Sequence, residues 1–187
     1  MISLFRLLPH TTVSETGRAY LKTDTHTDTN TVVLKNHMCL LFVFVFVFLM
    51  KLIVYTDWGS RGNPWPSGCG VYITDAQGKS LEKRHKYIGH ATNNIAEYTA
   101  ALLGITRAIE LGANTIELRA DSELLVKQLS WEYKIKNGEL KKLAGDIKEE
   151  ISKWWGDISF VHVYREANKE ADRLSNVAMD EGTRDRR

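Results

Sequence analysis

KLIVYTDWGSRGNPWPSGCGVYITD, residues 51–75, decides the fold. Its first seven residues alternate and are rich in β-branched side chains, so they read as a strand ending at Asp57. WGSRGNPWPSG (58–68) is rich in turn formers, with two prolines, and CGVYITD (69–75) is a second strand. The DAQG corner then turns the chain into KSLEKRHKYIG (79–89), a hairpin partner.

Downstream the period changes. From Asn94 the apolar residues Ile95, Tyr98, Leu102, Ile105 and Ile109 step by three and four, predicting a helix that stops at Gly112. TIELRA (115–120) is a short strand before Asp121. SELLVKQL (122–129) and ELKKLAGDIKEEISKWW (139–155) read as helices, and DISFVHV (157–163) as the last strand. Asn168 is placed to cap a final helix through Ala171, Leu174 and Ala178. The order βββαβααβα implies an α/β fold, a mixed five-stranded sheet with helices packed on it.

Upstream the character differs. Residues 11–32 are threonine-rich and show no period that could bury a face. CLLFVFVFVFLM (39–50) is shorter than the about 18 residues a membrane span needs, and it lacks the flanks of a secretory signal. We read 1–49 as an unstructured or mistranslated upstream segment with translation starting at Met50, 50–181 as the domain, and 182–187 as a polar tail. The 187 residues are 43% hydrophobic and 26% charged, near the globular average, which excludes wholesale disorder. The net charge of +2 gives no strong global field, so any grip on nucleic acid must be local. Two cysteines, Cys39 and Cys69, supply neither a disulfide framework nor a four-ligand zinc site.

The acids carry the chemistry. Asp57 and Asp121 each end a predicted strand, while Glu97 and Asp172 fall in the first turns of predicted helices. Loops at strand ends are where α/β sheets collect active groups. Four converging carboxylates need cations, and all-oxygen ligands select Mg²⁺ or Mn²⁺ over zinc. Two such ions about 4 Å apart stabilise both oxygens of a phosphoryl displacement. Taken singly, each acid reads as well as a turn residue or a helix-dipole partner.

Four blocks decide between these readings: YTDWGSRGNP (55–64), ATNNIAEYTAAL (91–102), LRADSELLVKQL (118–129) and HVYREANKEADRLSNVAMD (162–180). In these residues and their order the chain closely resembles type 1 ribonuclease H, in its short archaeal and bacterial branch. The resemblance covers essentially all of 50–180 and implies the ribonuclease H-like fold, with helices on both sheet faces. It also implies an endonuclease that cuts the RNA strand of RNA–DNA hybrids to 3′-hydroxyl and 5′-phosphate ends. Asp57, Glu97, Asp121 and Asp172 match the family's catalytic, metal-binding carboxylates, for two Mg²⁺ ions with Mn²⁺ as the alternative. By the same match Asp57 bridges both ions, and Glu97 meets the ribose 2′-hydroxyl, the group that tells RNA from DNA. Ser60, Asn63, Thr92, Asn93 and Asn94 match nucleic-acid contacts to sugar and backbone, which read shape rather than sequence. Helix capping by Asn93 and Asn94 is a structural alternative. A cytoplasmic monomer without a membrane partner is expected.

Three departures accompany the match. The loop YREAN (164–168) has no counterpart of the mobile histidine of many relatives, leaving Arg165, Glu166 and Asn168 as accessory residues; His162 reads as structural. The basic handle is reduced to WEYKIKNGELKK (131–142), with Lys134, Lys136, Lys141 and Lys142. Tryptophan stands at three family glycine positions, Trp58, Trp65 and Trp131. One cause explains all three: UGA codons read as tryptophan where the native code reads glycine. Rival readings are a catalytically impaired hybrid-binding module and another nuclease of the ribonuclease H-like superfamily.

Overall fold

The computed structural model describes Thr12–Val13, Ala19–Tyr20 and residues 50–60 and 65–184. The chain divides into two units, Met1–Val45 and Phe46–Arg187. In the first, Thr12–Val13 and Ala19–Tyr20 pair antiparallel. The apolar run before Met50, Asn63 and the side chain of Trp65 lie outside the described residues.

In the second unit, strand β1 (Lys51–Ser60) is followed by β2 (Trp65–Asp75), β3 (Ser80–Ala91) and helix α1 (Asn93–Glu110). Then come β4 (Thr115–Ala120), α2 (Glu123–Leu129), α3 (Gly138–Lys153), β5 (Asp157–His162), a 3₁₀ turn (Arg165–Ala167) and α4 (Lys169–Arg184). The spatial order β3-β2-β1-β4-β5 puts β1 at the centre, antiparallel to β2 and parallel to β4, which is parallel to β5. The expected element order holds, with bounds that shift by a few residues.

Strand β1 is buried on both faces: Leu52, Ile53, Val54, Thr56 and Asp57 are all buried. A central strand between helical layers has no solvent face. Helix α1 covers one side, where a Cβ added to Gly104 would lie 2.7 Å from Val54 Cγ1. Helix α4 covers the other, where a Cβ on Gly70 would lie 2.0 Å from the Ala171 carbonyl oxygen. Gly70 pairs with Asp57 and Gly68 with Gly59, so these three glycines share the Asp57 face; Gly68 and Gly70 admit the α4 backbone, and Gly59 the side chains of Ser175 and Met179. Salt bridges from Lys83 to Glu170 (3.0 Å) and from His85 to Glu181 (2.8 Å, when the imidazole is protonated) tie α4 to β3. The helix runs to Arg184, three residues into the stretch read as a polar tail.

Two helix ends share one geometry with different residues. After α1 the amide of Gly112 donates to Ile109 and that of Ala113 to Ala108, with Gly112 at φ +88°. After α2 the amide of Trp131 donates to Gln128 and that of Glu132 to Lys127, with Trp131 at φ +64°. Both are Schellman caps, whose left-handed position favours glycine. Among the described residues Trp131 is the one non-glycine with positive φ, and it is 63% exposed. Its ring takes a cation–π contact from Lys148, 5.4 Å from the centroid. Left-handed backbone costs about 1–2 kcal/mol and an exposed cation–π contact returns about 0.5–1 kcal/mol. Trp131→Gly should therefore raise stability by about 1 kcal/mol, read as a higher urea midpoint. An unchanged or lower midpoint would count against strain at this cap.

Candidate active site

The site forms where the central strands part. Parallel pairing of β1 with β4 ends at Thr56 and Ala120, while β1 continues against β2 through Ser60 and Ser67. Asp57 therefore lies inside its strand rather than at the end, a correction that follows from the antiparallel partner extending it. Asp57 and Asp121 are the next residues on either side of the fork. Both line a cleft that Thr56, Trp58, Glu97 and Ser122 complete, and an adjoining one with Ser60, Arg165, Asp172 and Asn176. The four predicted carboxylates thus surround one region, with Asp57 and Asp121 common to both clefts.

Glu97 is the fifth residue of α1, in its second turn rather than its first, because the helix begins at Asn93. That register removes the helix-dipole account of Glu97. One hydrogen bond holds its carboxylate, from Ser122 Oγ at 2.7 Å, and the Trp58 side chain lines the same cleft. Burial raises its pKa, and the neighbouring Ser122 and Trp58 side chains oppose the rise. The helix beneath it is fixed by the buried Tyr98 hydroxyl, which donates to Gln128 Oε1 at 2.8 Å, and by Cys69 Sγ, which donates to the Ala96 carbonyl at 3.4 Å. Burial pushes the Cys69 thiol up to about 12, so it acts as a packing group rather than a nucleophile.

Asp57 is 6% exposed, and its pKa is raised from 3.8 to about 8, first by burial and then by the negative charge of Asp121, with Asp172 adding to it. A buried carboxylate among carboxylates calls for positive charge. The positive charge of Arg165 opposes the rise, and its Nη2 lies 3.0 Å from Asp172 Oδ1. Hard divalent ions fit this donor set in chemistry and charge. Among the described residues, however, no three acidic, histidine or cysteine side chains gather closely enough to hold one ion as they stand. Glu97 is engaged by Ser122, and Asp172 by Arg165, so loading requires side-chain exchange.

The remaining expected residues divide. Ser60 lines the Asp172 cleft. Thr92 caps α1 by backbone position without a side-chain capping bond, and Asn93 Oδ1 is buried without a hydrogen-bond partner. Asn93 and Asn94 follow the cap, within the helix, so the capping alternative does not account for them. Asn168 precedes α4, but its buried amide donates to the Thr56 carbonyl at 3.0 Å, tying the helix start to β1 beside Asp57. Glu166 is exposed and outside both clefts. Lys134 lines a separate groove with Trp131, Tyr133, Lys141 and Lys148, whereas Lys136 is exposed outside it. His162 ends β5 with Nε2 3.2 Å from the Asp121 carbonyl oxygen, a site-edge contact that its place in the strand pattern did not reveal.

Residues 59–178 match the family model described as Reverse transcriptase-like. A bifunctional protein of Mycobacterium tuberculosis is 39% identical over 132 residues, 70% of this chain and 36% of that protein. The chain therefore spans about a third of the length of the first curated relatives. The solved RNase H1 of Halobacterium salinarum is 35% identical, covers 70% of this chain and 98% of its own, and superposes with a TM-score of 0.67. LC11-RNase H1, isolated from compost and solved in complex with an RNA/DNA hybrid, is 39% identical. Its match covers 71% of this chain and 99% of its own, with a TM-score of 0.68.

Proposed function

The chain belongs to the ribonuclease H family, and from that we propose that it hydrolyses the RNA strand of RNA–DNA hybrids. Fragments with 3′-hydroxyl and 5′-phosphate ends would result. The observation that carries the reading is the convergence of Asp57, Glu97, Asp121 and Asp172 on the fork between β1 and β4. Two divalent ions held by these residues would polarise the scissile phosphate and activate the attacking water. Asp57, common to both clefts, is suited to serve both ions, with Glu97 and Asp172 on opposite sides and Asp121 between them.

The chain's own groups would do the rest. Glu97 would accept a hydrogen bond from the ribose 2′-hydroxyl once Ser122 releases it, giving RNA preference at the scissile nucleotide. Asn93 brings an unpaired buried carbonyl to the start of α1, and Thr92 a hydroxyl not used for capping, both suited to sugar and phosphate. Ser60, Asn63 and Asn94 would extend that contact, and Lys134 with Lys136 would add charge farther along the duplex. Arg165 would leave Asp172 on ion binding and become free to meet phosphate. Residues 50–181 would carry the activity, since the described hydrogen bonding of the sheet begins with the Met50 carbonyl accepting from Asn114 and Thr115. A cytoplasmic monomer suits such an enzyme; among the described residues no helix is long and apolar enough to cross a membrane.

The test is a hybrid with a labelled RNA strand, incubated with the full chain and Mg²⁺ or Mn²⁺. RNA cut in the hybrid, with single-stranded RNA and the hybrid's DNA strand left intact, is the expected outcome. Retardation of an uncut hybrid in either ion would identify a binding module instead.

A further inference from the structure

Asn176 has no task in the chemistry just described, yet it lines the cleft that Asp57, Asp121 and Asp172 share. It stands four residues after Asp172 on α4, one turn along the same helix face. Its Nδ2 donates to the Asp172 backbone carbonyl at 2.8 Å, which also accepts from Ser175 Oγ at 2.8 Å. A carbonyl oxygen only accepts, so this bond fixes which way the amide points and leaves Oδ1 as the acceptor it offers. Among the described residues no donor is bonded to that Oδ1. The side chain is exposed, and the cleft beside it holds about 260 Å³, room for several waters at about 30 Å³ each. Trp58 borders the same cleft but takes no part here, and glycine in its place would only enlarge it.

Mg²⁺ sheds water reluctantly and keeps several waters when protein-bound, and those waters present O–H donors to whatever surrounds them. Three carboxylates already supply negative charge to this cleft. An amide oxygen adds an acceptor for the water shell without adding to their mutual repulsion. Losing an outer partner of this kind costs roughly ten- to a hundredfold in metal affinity. We propose that Asn176 is a positioning residue for the divalent ion, its Oδ1 accepting from the ion's hydration waters on the Asp172 side of the site. The bond to the Asp172 carbonyl ties that acceptor to the backbone that carries the carboxylate. The inference rests on the carboxylate site proposed above.

Calorimetric titration of the full chain with Mg²⁺ and with Ca²⁺, without nucleic acid, tests it apart from catalysis. Ca²⁺ takes protein oxygens in flexible geometry and depends less on a retained water shell. Asn176→Leu removes both ends of the amide and should weaken Mg²⁺ binding about tenfold, and Ca²⁺ binding about threefold or less. Asn176→Asp also loses the bond to the Asp172 carbonyl but keeps an acceptor oxygen, so its Mg²⁺ affinity should match or exceed the parent's. Both variants change an exposed side chain, and their melting points should stay within about 3 °C of the parent's. Where Asp57→Asn loses ion binding, three results would each overturn the role of Asn176 and leave the site standing. These are parental Mg²⁺ affinity in Asn176→Leu, equal losses of both ions, or an Asn176→Asp protein as weak as Asn176→Leu. Unchanged ion binding in Asp57→Asn would remove the carboxylate site and this inference with it.

Discussion

Asp57→Asn should yield a protein that no longer cuts hybrids and yet is more stable than its parent without metal at pH 8. The loss of activity should be at least about a thousandfold, because a ligand shared by two ions contributes several kcal/mol of charge stabilisation and each 1.4 kcal/mol is tenfold. The gain in stability comes from burial. Asp57 has its folded pKa raised from 3.8 to about 8, so between those values the native state holds a proton that the unfolded state has lost. Stability from this group is full at the acid end of that window and falls as pH rises through it, by up to about 1.4 kcal/mol per pH unit. Asparagine carries no such charge. Urea midpoints in chelator at pH 5 and pH 8 should therefore drop for the parent and change less for the variant. A parent as stable at pH 8 as at pH 5, relative to Asp57→Asn, would show that Asp57 is not buried as a strained charge.

The second large effect is expected at Gly70, a position with no chemistry of its own. A Cβ there would meet the Ala171 carbonyl oxygen at 2.0 Å and the Ser175 amide nitrogen at 2.6 Å, both backbone atoms of α4 that cannot rotate aside. Gly70→Val must push the helix off the sheet, with a loss of about 3 kcal/mol or more. Asp172 rides on that helix, so whatever folds should also cleave poorly. Gly145, in the interior of α3 with open space around its Cα, is the contrast. Gly145→Ala should stabilise by about 0.5–1 kcal/mol through helix propensity alone. Thermal melts of both variants separate packing from composition: comparable melting points would refute a backbone-distance contact at Gly70.

Local pattern served well where local physics dominates. The alternation of KLIVYTD and the three-four stepping from Ile95 to Ile109 each announce their element, because the apolar period alone distinguishes strand from helix. The end of β1 was illegible: glycines and prolines after Asp57 read as a turn, and only pairing with β2 carries the strand to Ser60. The register of Glu97 likewise depended on where α1 starts, a matter of one turn that capping residues in the run ATNN leave open. The four acids were legible through their neighbourhoods, but their present partners were not, since Ser122 meets Glu97 across a tertiary contact and Arg165 reaches Asp172 from the 3₁₀ turn before α4. Asn168 shows the same limit, as a residue suited to capping is drawn instead to a strand carbonyl. Trp131 is the case in which sequence and backbone speak together: a position expected to be glycine adopts the conformation glycine favours. The gene should accordingly read UGA at codons 58, 65 and 131, and UGG there would make the strained cap a genuine property of the chain.

The dependence of the site on α4 also sets when in a molecule's life it becomes competent. Residues 50–162 hold three of the four acids and every strand of the sheet, yet the helix that covers the Asp57 face and brings Asp172 to it is made after all of them. A chain still emerging from the ribosome has the sheet's sequence in hand and an incomplete set of carboxylates. Nuclease competence should thus arrive abruptly once α4 has been made, and a protease that removes α4 should silence it without touching the sheet.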